Sequence, residues 1–288
     1  MADVYEIITA RIISQLESGT VPWHKPWNVG THGGPQNLVS KKEYRGVNVF
    51  LLSCMPYSLP YWVSYKQAQQ LGGHVRKGEK STPVVFWKWL EKENPETGKA
   101  EKIPLLRYYR VFNVSQCAGI DGKIPQIDES DVKPFEPIAE CERIVEAMPG
   151  RPEIRHGMDG GFYQPSNDFV GMPDRERFDS PESYYSTLFH ELTHSTGHES
   201  RLNRQGIVNV AGFGSQTYSK EELVAEMGAS FLSGHAGIEA DTIDNSASYI
   251  AGWLKRLRDD KRLVVQAAAQ AQKAVDFIRG IKWEGGAK

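Results

Sequence analysis

The stretch SPESYYSTLFHELTHSTG, residues 180–197, decides how the second half of the chain folds. Ser180 stands where an N-cap is expected, and Pro181 stands at the first helical position, where a missing N–H is tolerated. Apolar residues recur behind them at helical spacing: Tyr184, Tyr185, Leu188, Phe189 and Leu192. Because Gly197 supplies the stop, the pattern predicts a helix over residues 181–196.

Two histidines on this helix form a candidate metal site. His190 and His194 lie about one turn apart, so both imidazoles project from one face and can reach a single tetrahedral metal. Glu191 stands beside them, where its carboxylate can take a proton from the water that attacks a substrate. The pattern predicts a zinc-dependent metallopeptidase with Glu191 as its catalytic base. Mn²⁺ or another divalent metal would also fit two His and one Glu.

A catalytic zinc needs a third protein ligand and an open fourth position. The metzincin pattern would place a His where Ser200 stands, and His198 would have to fold back past the helix end. A better source is the helix predicted over residues 219–232, which carries Glu222 and Glu226 on one face. One of them can bind the metal while the other hydrogen-bonds a ligating His. In zincins with a Glu ligand it is usually the first of such a pair, which favours Glu222.

Peptide cleavage also needs a donor for the oxyanion and an edge strand along which an extended substrate can lie. Tyr218, just before the third-ligand helix, and His198 are the candidate donors. The segment 162–172 is the candidate edge strand. A surface tyrosine and a structural hairpin would explain the same residues, and this alternative stays open.

The first half of the chain has mixed α+β patterns. Asp3 followed by Glu6 resembles a capping box, and Gly19 ends the helix that it begins. Residues 20–48 are rich in Pro and Gly and predict an aromatic-bearing loop. Further along, a short helix is predicted over residues 64–71, and strands over 83–90 and 105–113, with a turn at 94–99.

The chain is predicted to contain two domains. Residues 119–137 concentrate Gly, Pro and Asp without hydrophobic periodicity, which is typical of a linker. The fold class is therefore α+β, with an α+β nucleic-acid-binding domain over residues 1–125. A mostly helical, zincin-like metallopeptidase domain follows over residues 126–288, with helices at 137–148, 181–196, 220–234, 245–259 and 261–278.

Composition excludes several classes of protein. A chain of 288 residues with 40% hydrophobic residues can bury a core, so disorder is not expected. Three cysteines without paired spacing, Cys54, Cys117 and Cys141, argue against a disulfide framework and predict buried thiols. No apolar run approaches the ~18 residues that a membrane span needs, and no leader pattern is evident. These features predict a cytoplasmic protein with no membrane partner.

Charge and aromatic residues divide the chain unevenly. The first 130 residues hold 16 Lys+Arg and 12 Asp+Glu, and the rest hold 18 and 24, so the formal charges are +4 and −6. Single-stranded DNA is bound by aromatic side chains that stack on bases and by cations along the phosphates. The first half supplies both kinds of side chain: Arg76, Lys77, Lys80, Trp87, Trp89, Arg107, Tyr108 and Arg110. Alternating aromatic residues on strands can equally belong to a core.

Several motifs, in the same order, resemble the ArdC family of plasmid antirestriction proteins. In the first half they are residues 3–5, 19–27, 44–48, 71–80 and 111–113. In the second half they are residues 184–198, 221–226 and 249–254. The resemblance covers nearly the whole chain, and it adds Trp23, Trp27, Tyr44 and Arg45 to the candidate DNA-binding residues.

The resemblance implies a single-stranded-DNA-binding domain fused to a zincin-like metallopeptidase domain. Such a protein is carried on conjugative plasmids and shields incoming DNA from the recipient's restriction enzymes. A host restriction or regulatory protein is the implied peptidase substrate. The second half is also distantly similar to regulator-cleaving metallopeptidases of the IrrE and ImmA kind. In that alternative the first half docks a protein rather than DNA.

Overall fold

A computed structural model describes residues 3–19, 21, 34–53, 55, 57, 59–93, 100–125, 137–208, 216–238 and 247–281. Within these ranges a sheet region in the first half is followed by a mostly helical second half, which confirms the predicted α+β class. Trp23, Trp27, Cys54 and the predicted turn at 94–99 lie outside the described residues. The side chain of Trp89 lies outside them too.

Helix α1 spans Val4–Glu17, as its capping pattern predicts. The Asp3 carboxylate accepts a hydrogen bond from the backbone N–H of Tyr5, and Gly19 ends the helix with a φ of +80°. This conformation favours glycine because it lacks a Cβ. Ile8, Ile12 and Leu16 recur at helical spacing and are completely or almost completely buried. The helix is therefore fixed by a cap at its start, a glycine at its end and one apolar face.

The first half continues with short elements and one long hairpin: β1 (Gln36–Asn37), α2 (Val47–Ser53), β2 (Tyr61–Val63), α3 (Tyr65–Gln70), β3 (His74–Val75), β4 (Thr82–Glu93), β5 (Ala100–Asn113) and β6 (Cys117–Ala118). One sheet has the order β1-β2-β5-β4, with β1 parallel to β2 and the other neighbours antiparallel. Strands β3 and β6 pair separately. The helix predicted over residues 64–71 is α3, and Ser64 and Gln67 form its capping box.

Strands β4 and β5 form a long two-stranded hairpin, here called the ribbon, paired along all twelve residues of β4. Residues directly opposite each other in an antiparallel pair share one face. At its base the ribbon buries Val84 and Val111 on one face, and Val85 and Leu106 on the other. Next to them on β4, Phe86 and Lys88 on one face and Trp87 on the other are exposed. The ribbon is thus anchored at its base and carries exposed side chains on both faces beside the anchor.

The second half contains α4 (Pro137–Ala147), β7 (Glu153–Arg155), β8 (Phe162–Gln164), β9 (Phe169–Gly171), α5 (Pro181–Ser195), α6 (Gln205–Val208), α7 (Gln216–Ala236), α8 (Ala247–Asp259) and α9 (Leu263–Ile278). The five predicted helices are present within a few residues of their expected ends. The small sheet has the order β7-β9-β8. Only β8 of the predicted edge segment 162–172 is an edge, because β9 is paired on both sides.

One hydrophobic core joins residues from both halves. The buried face of α1 belongs to the same cluster as the apolar faces of α5, α7 and α9. Phe50 of α2 stacks on Phe231 of α7 with ring centroids 4.8 Å apart. The hydroxyl of Thr9 donates to the carbonyl of Lys261 at 2.7 Å, and Arg45 pairs with the buried carboxylate of Asp276. Continuous packing therefore crosses the predicted domain boundary between residues 125 and 126. The division into two domains stays a prediction.

No helix among the described parts of the chain is long and apolar enough to cross a membrane. Cys117 and Cys141 are free and buried, as predicted. Burial, together with the neighbouring carboxylates, raises the pKa of the Cys141 thiol to about 12. Burial also raises the pKa of Cys117. Both thiols therefore stay protonated near neutral pH.

Candidate metal centre and nucleic-acid interface

Helix α5 carries the His-Glu-Leu-Thr-His motif and begins as its sequence predicts. The hydroxyl of Ser180 accepts a hydrogen bond from the backbone N–H of Ser183 at 3.1 Å, and Pro181 occupies the first turn. Most of its apolar side chains are buried, including Leu188 and Leu192. Burial of this face turns the motif's two histidines toward α7, which is packed against α5.

The close crossing of α5 and α7 depends on Gly228. A Cβ at this position would lie 2.5 Å from Thr193 Cγ2, a distance that real side chains do not adopt. Glycine therefore lets the two helix backbones approach. The approach brings the Glu222 side chain, about two turns earlier on α7, to the histidines of α5.

Three side chains converge at this crossing. The Nε2 atoms of His190 and His194 are 3.1 Å apart. Glu222 Oε2 lies 3.7 Å from His190 Nε2, and Glu222 Oε1 lies 3.5 Å from His194 Nε2. One donor atom from each residue lies within 4.8 Å of the others. Among the described residues, Glu226 does not join this group, although its charge acts on His190.

The potential at this cluster is negative. Burial disfavours the charged form of His190, but the carboxylates of Glu222, Glu191 and Glu226 outweigh burial and raise the pKa of its imidazole. Two neutral imidazoles with nitrogens 3.1 Å apart and a facing carboxylate offer only electron pairs when no proton is shared. The arrangement favours a cation between them.

A second carboxylate, that of Glu221, lies beside the other ring nitrogen of His194. Glu221 is buried, and its Oε1 lies 3.6 Å from His194 Nδ1. Arg204, also buried, donates through Nε to both Glu221 oxygens at 3.1 Å and through Nη2 to the carbonyl of Thr193 at 2.8 Å. Burial raises the pKa of Glu221, but His194 and Arg204 outweigh it, so the pKa is lowered. Glu221 is thus an anion aimed at the nitrogen of His194 that faces away from the cluster.

Glu191 lies between the cluster and strand β8. Glu191 is buried, with 8% of its surface exposed. A Cβ at Gly161, just before β8, would lie 2.7 Å from Thr187 Cγ2 and 3.6 Å from Glu191 Oε1. Glycine therefore lets the start of the edge strand run close over α5. An extended segment paired to β8 would pass near the Glu191 carboxylate.

The β8–β9 hairpin is fixed to the end of α5 by Arg201. The guanidinium donates through Nη1 to Asp168 Oδ2 at 3.0 Å and through Nε to the carbonyl of Ser195 at 2.8 Å. The hydroxyl of Tyr163 donates to Asp168 Oδ1 at 2.9 Å. These bonds tie the hairpin that carries the edge strand to the helix that carries the histidines.

Of the two predicted oxyanion donors, His198 is not part of the metal-binding cluster. His198 Nδ1 is 2.8 Å from the hydroxyl of Ser200, and its charge acts on Asp168 of the hairpin. Tyr218 lies on the first turn of α7, but its side chain is outside the described set. The assignment of an oxyanion donor stays a prediction.

The ribbon divides the predicted DNA-binding residues between its two faces. Arg107 is opposite Phe86 and shares that face with Tyr109. The rings of Phe86 and Tyr109 meet edge to face with centroids 5.8 Å apart. The opposite face carries Trp87, Tyr108 and Arg110. Phe86 and Trp87 are each 43% exposed, so each face offers an accessible ring.

The remaining candidates lie around the sheet. Lys77 and Lys80 are exposed in the turn after β3. Arg76 is exposed but donates to the carbonyl of Ser115 and lies 3.7 Å from Glu79. Tyr44 is half-buried against the sheet. Arg45, which pairs with Asp276 of α9, links the two halves of the chain.

Sequence patterns missed several side chains at these sites. Glu221 and Arg204 were not predicted to support His194, because their meeting depends on how α5, α6 and α7 pack. The position of Glu221, directly before Glu222, was a usable signal, because a metal-binding histidine commonly donates its other ring N–H to a carboxylate. Phe86 and Tyr109 were not among the predicted DNA contacts, although they are adjacent in the sequence to Trp87 and Tyr108. Because successive residues of a strand face opposite sides, both faces carry aromatic rings.

Two family models match the chain. The model for the N-terminal domain of anti-restriction factor ArdC matches residues 2–112, and a zincin-like metallopeptidase model matches residues 139–270. The first covers the ribbon and the second covers the His190, His194 and Glu222 cluster. The second half is therefore a zincin-like metallopeptidase domain.

Curated relatives extend this result. The chain is 37% identical to the DNA primase TraC of Escherichia coli, over 95% of this chain and 27% of the primase. It is 34% identical to the uncharacterized protein y4eC of Sinorhizobium fredii (strain NBRC 101917 / NGR234), over 96% of this chain and 91% of that protein. The chain thus spans about a quarter of the length of the primase.

Solved structures give the same result over the whole length. The metal-free crystal structure of the antirestriction protein ArdC from plasmid R388 is 38% identical, with a TM-score of 0.75, over 96% of this chain and 97% of that one. Its Mn(II)-bound structure is 37% identical, with a TM-score of 0.77, over 98% and 99%. With both halves matched in order and nearly complete alignment to this protein, the chain belongs to the ArdC family of antirestriction proteins.

Proposed function

We propose that this chain is a plasmid-encoded antirestriction protein that binds single-stranded DNA through its first half and hydrolyses peptides at a divalent-metal centre in its second. The observation that carries the proposal is the convergence of His190, His194 and Glu222 within 4.8 Å, with Glu191 beside them. Membership of the ArdC family supports the antirestriction function.

His190, His194 and Glu222 would hold the metal. Two imidazole nitrogens and one carboxylate oxygen are a three-ligand set of the kind that catalytic zinc sites use, with one position left for water or substrate. The same set accepts Mn²⁺ or another divalent ion. The Mn(II)-bound form of the R388 protein supports a divalent metal without deciding which one this chain uses. Glu221 would orient His194 through Nδ1, leaving Nε2 for the metal.

When bound, a divalent metal acts as a Lewis acid that polarises a peptide carbonyl and acidifies water. Glu191 would accept the proton of the attacking water and deliver it to the nitrogen of the departing amine. Strand β8 would hold an extended substrate by backbone hydrogen bonds. The substrate proposed on the family resemblance is a host restriction or regulatory protein.

The ribbon and the turn after β3 would contact DNA. Exposed aromatic rings on both ribbon faces offer surfaces for stacking with unpaired bases, and nearby Lys and Arg side chains offer charge for phosphates. A strand covered in this way is hidden from enzymes that recognise duplex DNA. Protection would therefore depend on DNA binding first, and peptide hydrolysis would be a separate contribution.

The test is a conjugation assay into a restricting recipient with three versions of the protein. Wild type, Glu191→Gln and His190→Ala would be compared for transfer efficiency, with bound metal measured by elemental analysis on the purified proteins. We expect about one metal per chain in wild type and Glu191→Gln, less in His190→Ala, and protection by Glu191→Gln. A loss of protection in folded, metal-loaded Glu191→Gln with normal DNA affinity would make proteolysis central instead.

A second measurement tests the DNA-binding half. Binding of a labelled oligonucleotide should be tighter for single strands than for duplex, and it should weaken as salt rises. Equal affinity for both forms would remove the stacking argument. No measurable binding of either form would favour the alternative of an IrrE- or ImmA-like peptidase with a protein-docking first half.

A further inference from the structure

A cavity lined by side chains that carry polar groups opens beside the base of the ribbon. It has a volume of about 420 Å³, within the ~300 to 1,000 Å³ typical of small-ligand sites. Its wall comes from three parts of the first half: the segment after β1, the start of α3, and β5. The residues that the argument uses are Asn37, Lys42, Tyr44, Lys66, Gln67 and Tyr109.

The hydroxyl of Tyr44 is a buried polar group in this wall. It has no hydrogen-bond partner within the described part of the chain. Burial raises its pKa well above the usual range, Asn37 lowers it by less and Tyr109 raises it, so the hydroxyl stays neutral. An unpaired buried hydroxyl costs about 1–3 kcal/mol of stability, so its presence in a cavity wall suggests a ligand that pairs with it.

Two amides beside it are held in a fixed geometry. Asn37 Nδ2 donates to Gln67 Oε1, and Gln67 Nε2 donates to Asn37 Oδ1, each at 3.1 Å. Gln67 Oε1 also accepts from the backbone N–H of Ser64 at 2.8 Å. The cavity thus offers amide groups in a preorganised arrangement, without the need to order flexible side chains first.

The cavity continues into one face of the ribbon. Tyr109 lines the cavity and also meets the ring of Phe86, which shares its face with Arg107. Lys42 and Lys66 are exposed in the wall, with Glu43 as the acidic residue there. A chain of bases stacked along this face would therefore reach the cavity with its phosphates near positive charge.

We propose that this cavity binds one nucleotide unit of single-stranded DNA, with the base among Tyr44, Asn37 and Gln67 and a phosphate near Lys42 and Lys66. The proposal rests on the DNA-binding function proposed above and locates a specific subsite within it. A free deoxynucleoside monophosphate has the same chemistry and would occupy the same cavity.

The first experiment measures the affinity of the full chain for a fluorescent single-stranded oligonucleotide by anisotropy. Tyr44→Phe removes only the buried hydroxyl, and Lys66→Ala removes one charge. Each should weaken binding by about two- to tenfold, the range expected for one lost hydrogen bond or charge contact. Tyr65→Phe and Lys255→Ala are matched controls, because neither residue lines the cavity and both are exposed. They should bind like wild type.

Thermal unfolding separates binding from folding. Removal of an unpaired buried hydroxyl should leave the Tm of Tyr44→Phe unchanged or raise it, while its affinity for DNA falls. This opposition of stability and affinity is the expected signature of a ligand-binding hydroxyl. Wild-type affinity in both Tyr44→Phe and Lys66→Ala would overturn the subsite and leave the proposed DNA-binding function intact.

Equilibrium dialysis with deoxynucleoside monophosphates covers the remaining case. If wild type binds no single-stranded oligonucleotide, the proposed DNA-binding function fails. Binding of a monophosphate that Tyr44→Phe weakens would then still support the cavity as a nucleotide site. No binding of either the oligonucleotide or the monophosphate would overturn it.

Discussion

The metal cluster and the ribbon show two different ways to present functional side chains. In the cluster, His194 is backed by Glu221, Glu221 is held by Arg204, and all three are largely buried. On the ribbon, Phe86 and Trp87 project into solvent from opposite faces. Chemistry at one bond requires atoms fixed to within about 0.5 Å, whereas binding to a polymer requires accessible area and charge. The difference in packing matches the two proposed tasks.

The largest effect is expected from Glu191→Gln. Loss of a general base lowers the rate of a hydrolytic step by about 10²- to 10⁴-fold, while the metal and DNA affinity should be unchanged. Cleavage of unfolded protein substrates, followed by gel electrophoresis, would measure it. Glu199→Gln, at an exposed position past the end of α5, is the matched control. Equal cleavage by Glu191→Gln and wild type would break the assignment of chemistry to the cluster.

The ribbon is tested one face at a time. If single bases stack on Trp87 and on Phe86, each alanine variant should lose about 1–3 kcal/mol, or roughly 5- to 150-fold in affinity for single-stranded DNA. Lys77→Ala should weaken binding less. It should also reduce the slope of log binding constant against log salt concentration by about 0.7. A large loss from only one of the two aromatic variants would show that the strand follows one face. No loss from either would exclude stacking on the ribbon.

Sequence patterns predicted local structure better than contacts between distant segments. The His190 and His194 pair was predictable because helical spacing alone puts both rings on one face. Helix α1 was predictable from Asp3 and Gly19. Strands of two residues, such as β1 and β3, carry too few side chains for a pattern, because they exist only through their partners. The support of His194 by Glu221 also depends on tertiary packing and could not be derived from spacing.

A smaller effect is expected from Glu221→Gln. If Glu221 orients His194, its loss should lower metal affinity by about 10- to 100-fold, as measured by competition with a chelator. Arg204→Gln breaks the same buried ion pair but keeps the carboxylate. It therefore controls for loss of the ion pair, and the Tm of both variants shows whether they are folded. Wild-type metal affinity in folded Glu221→Gln would contradict the orientation of His194 by Glu221.

The smallest effect concerns the junction between the two halves of the chain, where His235 of α7 lies near Arg45. Burial, Arg279 and Arg45 lower the pKa of His235 to about 3. Below pH ~6.5 the unfolded chain binds a proton that the folded protein does not, so stability falls as pH decreases. At pH 5 this costs about 2 kcal/mol. His235→Gln should therefore show a smaller drop in Tm between pH 7 and pH 5 than wild type.

His74→Gln changes an exposed histidine and is the control for that measurement. The same drop in Tm for wild type and His235→Gln would show that His235 is not held neutral at this junction. A smaller drop in both variants would indicate a general effect of removing a histidine.

The packing of α1 also constrains how the chain is made. Its apolar face meets α8 and α9, and the carbonyl that Thr9 contacts belongs to a residue 252 positions later. At about 5–20 residues per second, a ribosome needs roughly 12–50 s to synthesise that interval. During this time Ile8, Ile12 and Leu16 lack their native cover. Helix α1 emerges before α8 and α9 and is packed only after them, so its apolar face is a binding site for a chaperone during synthesis.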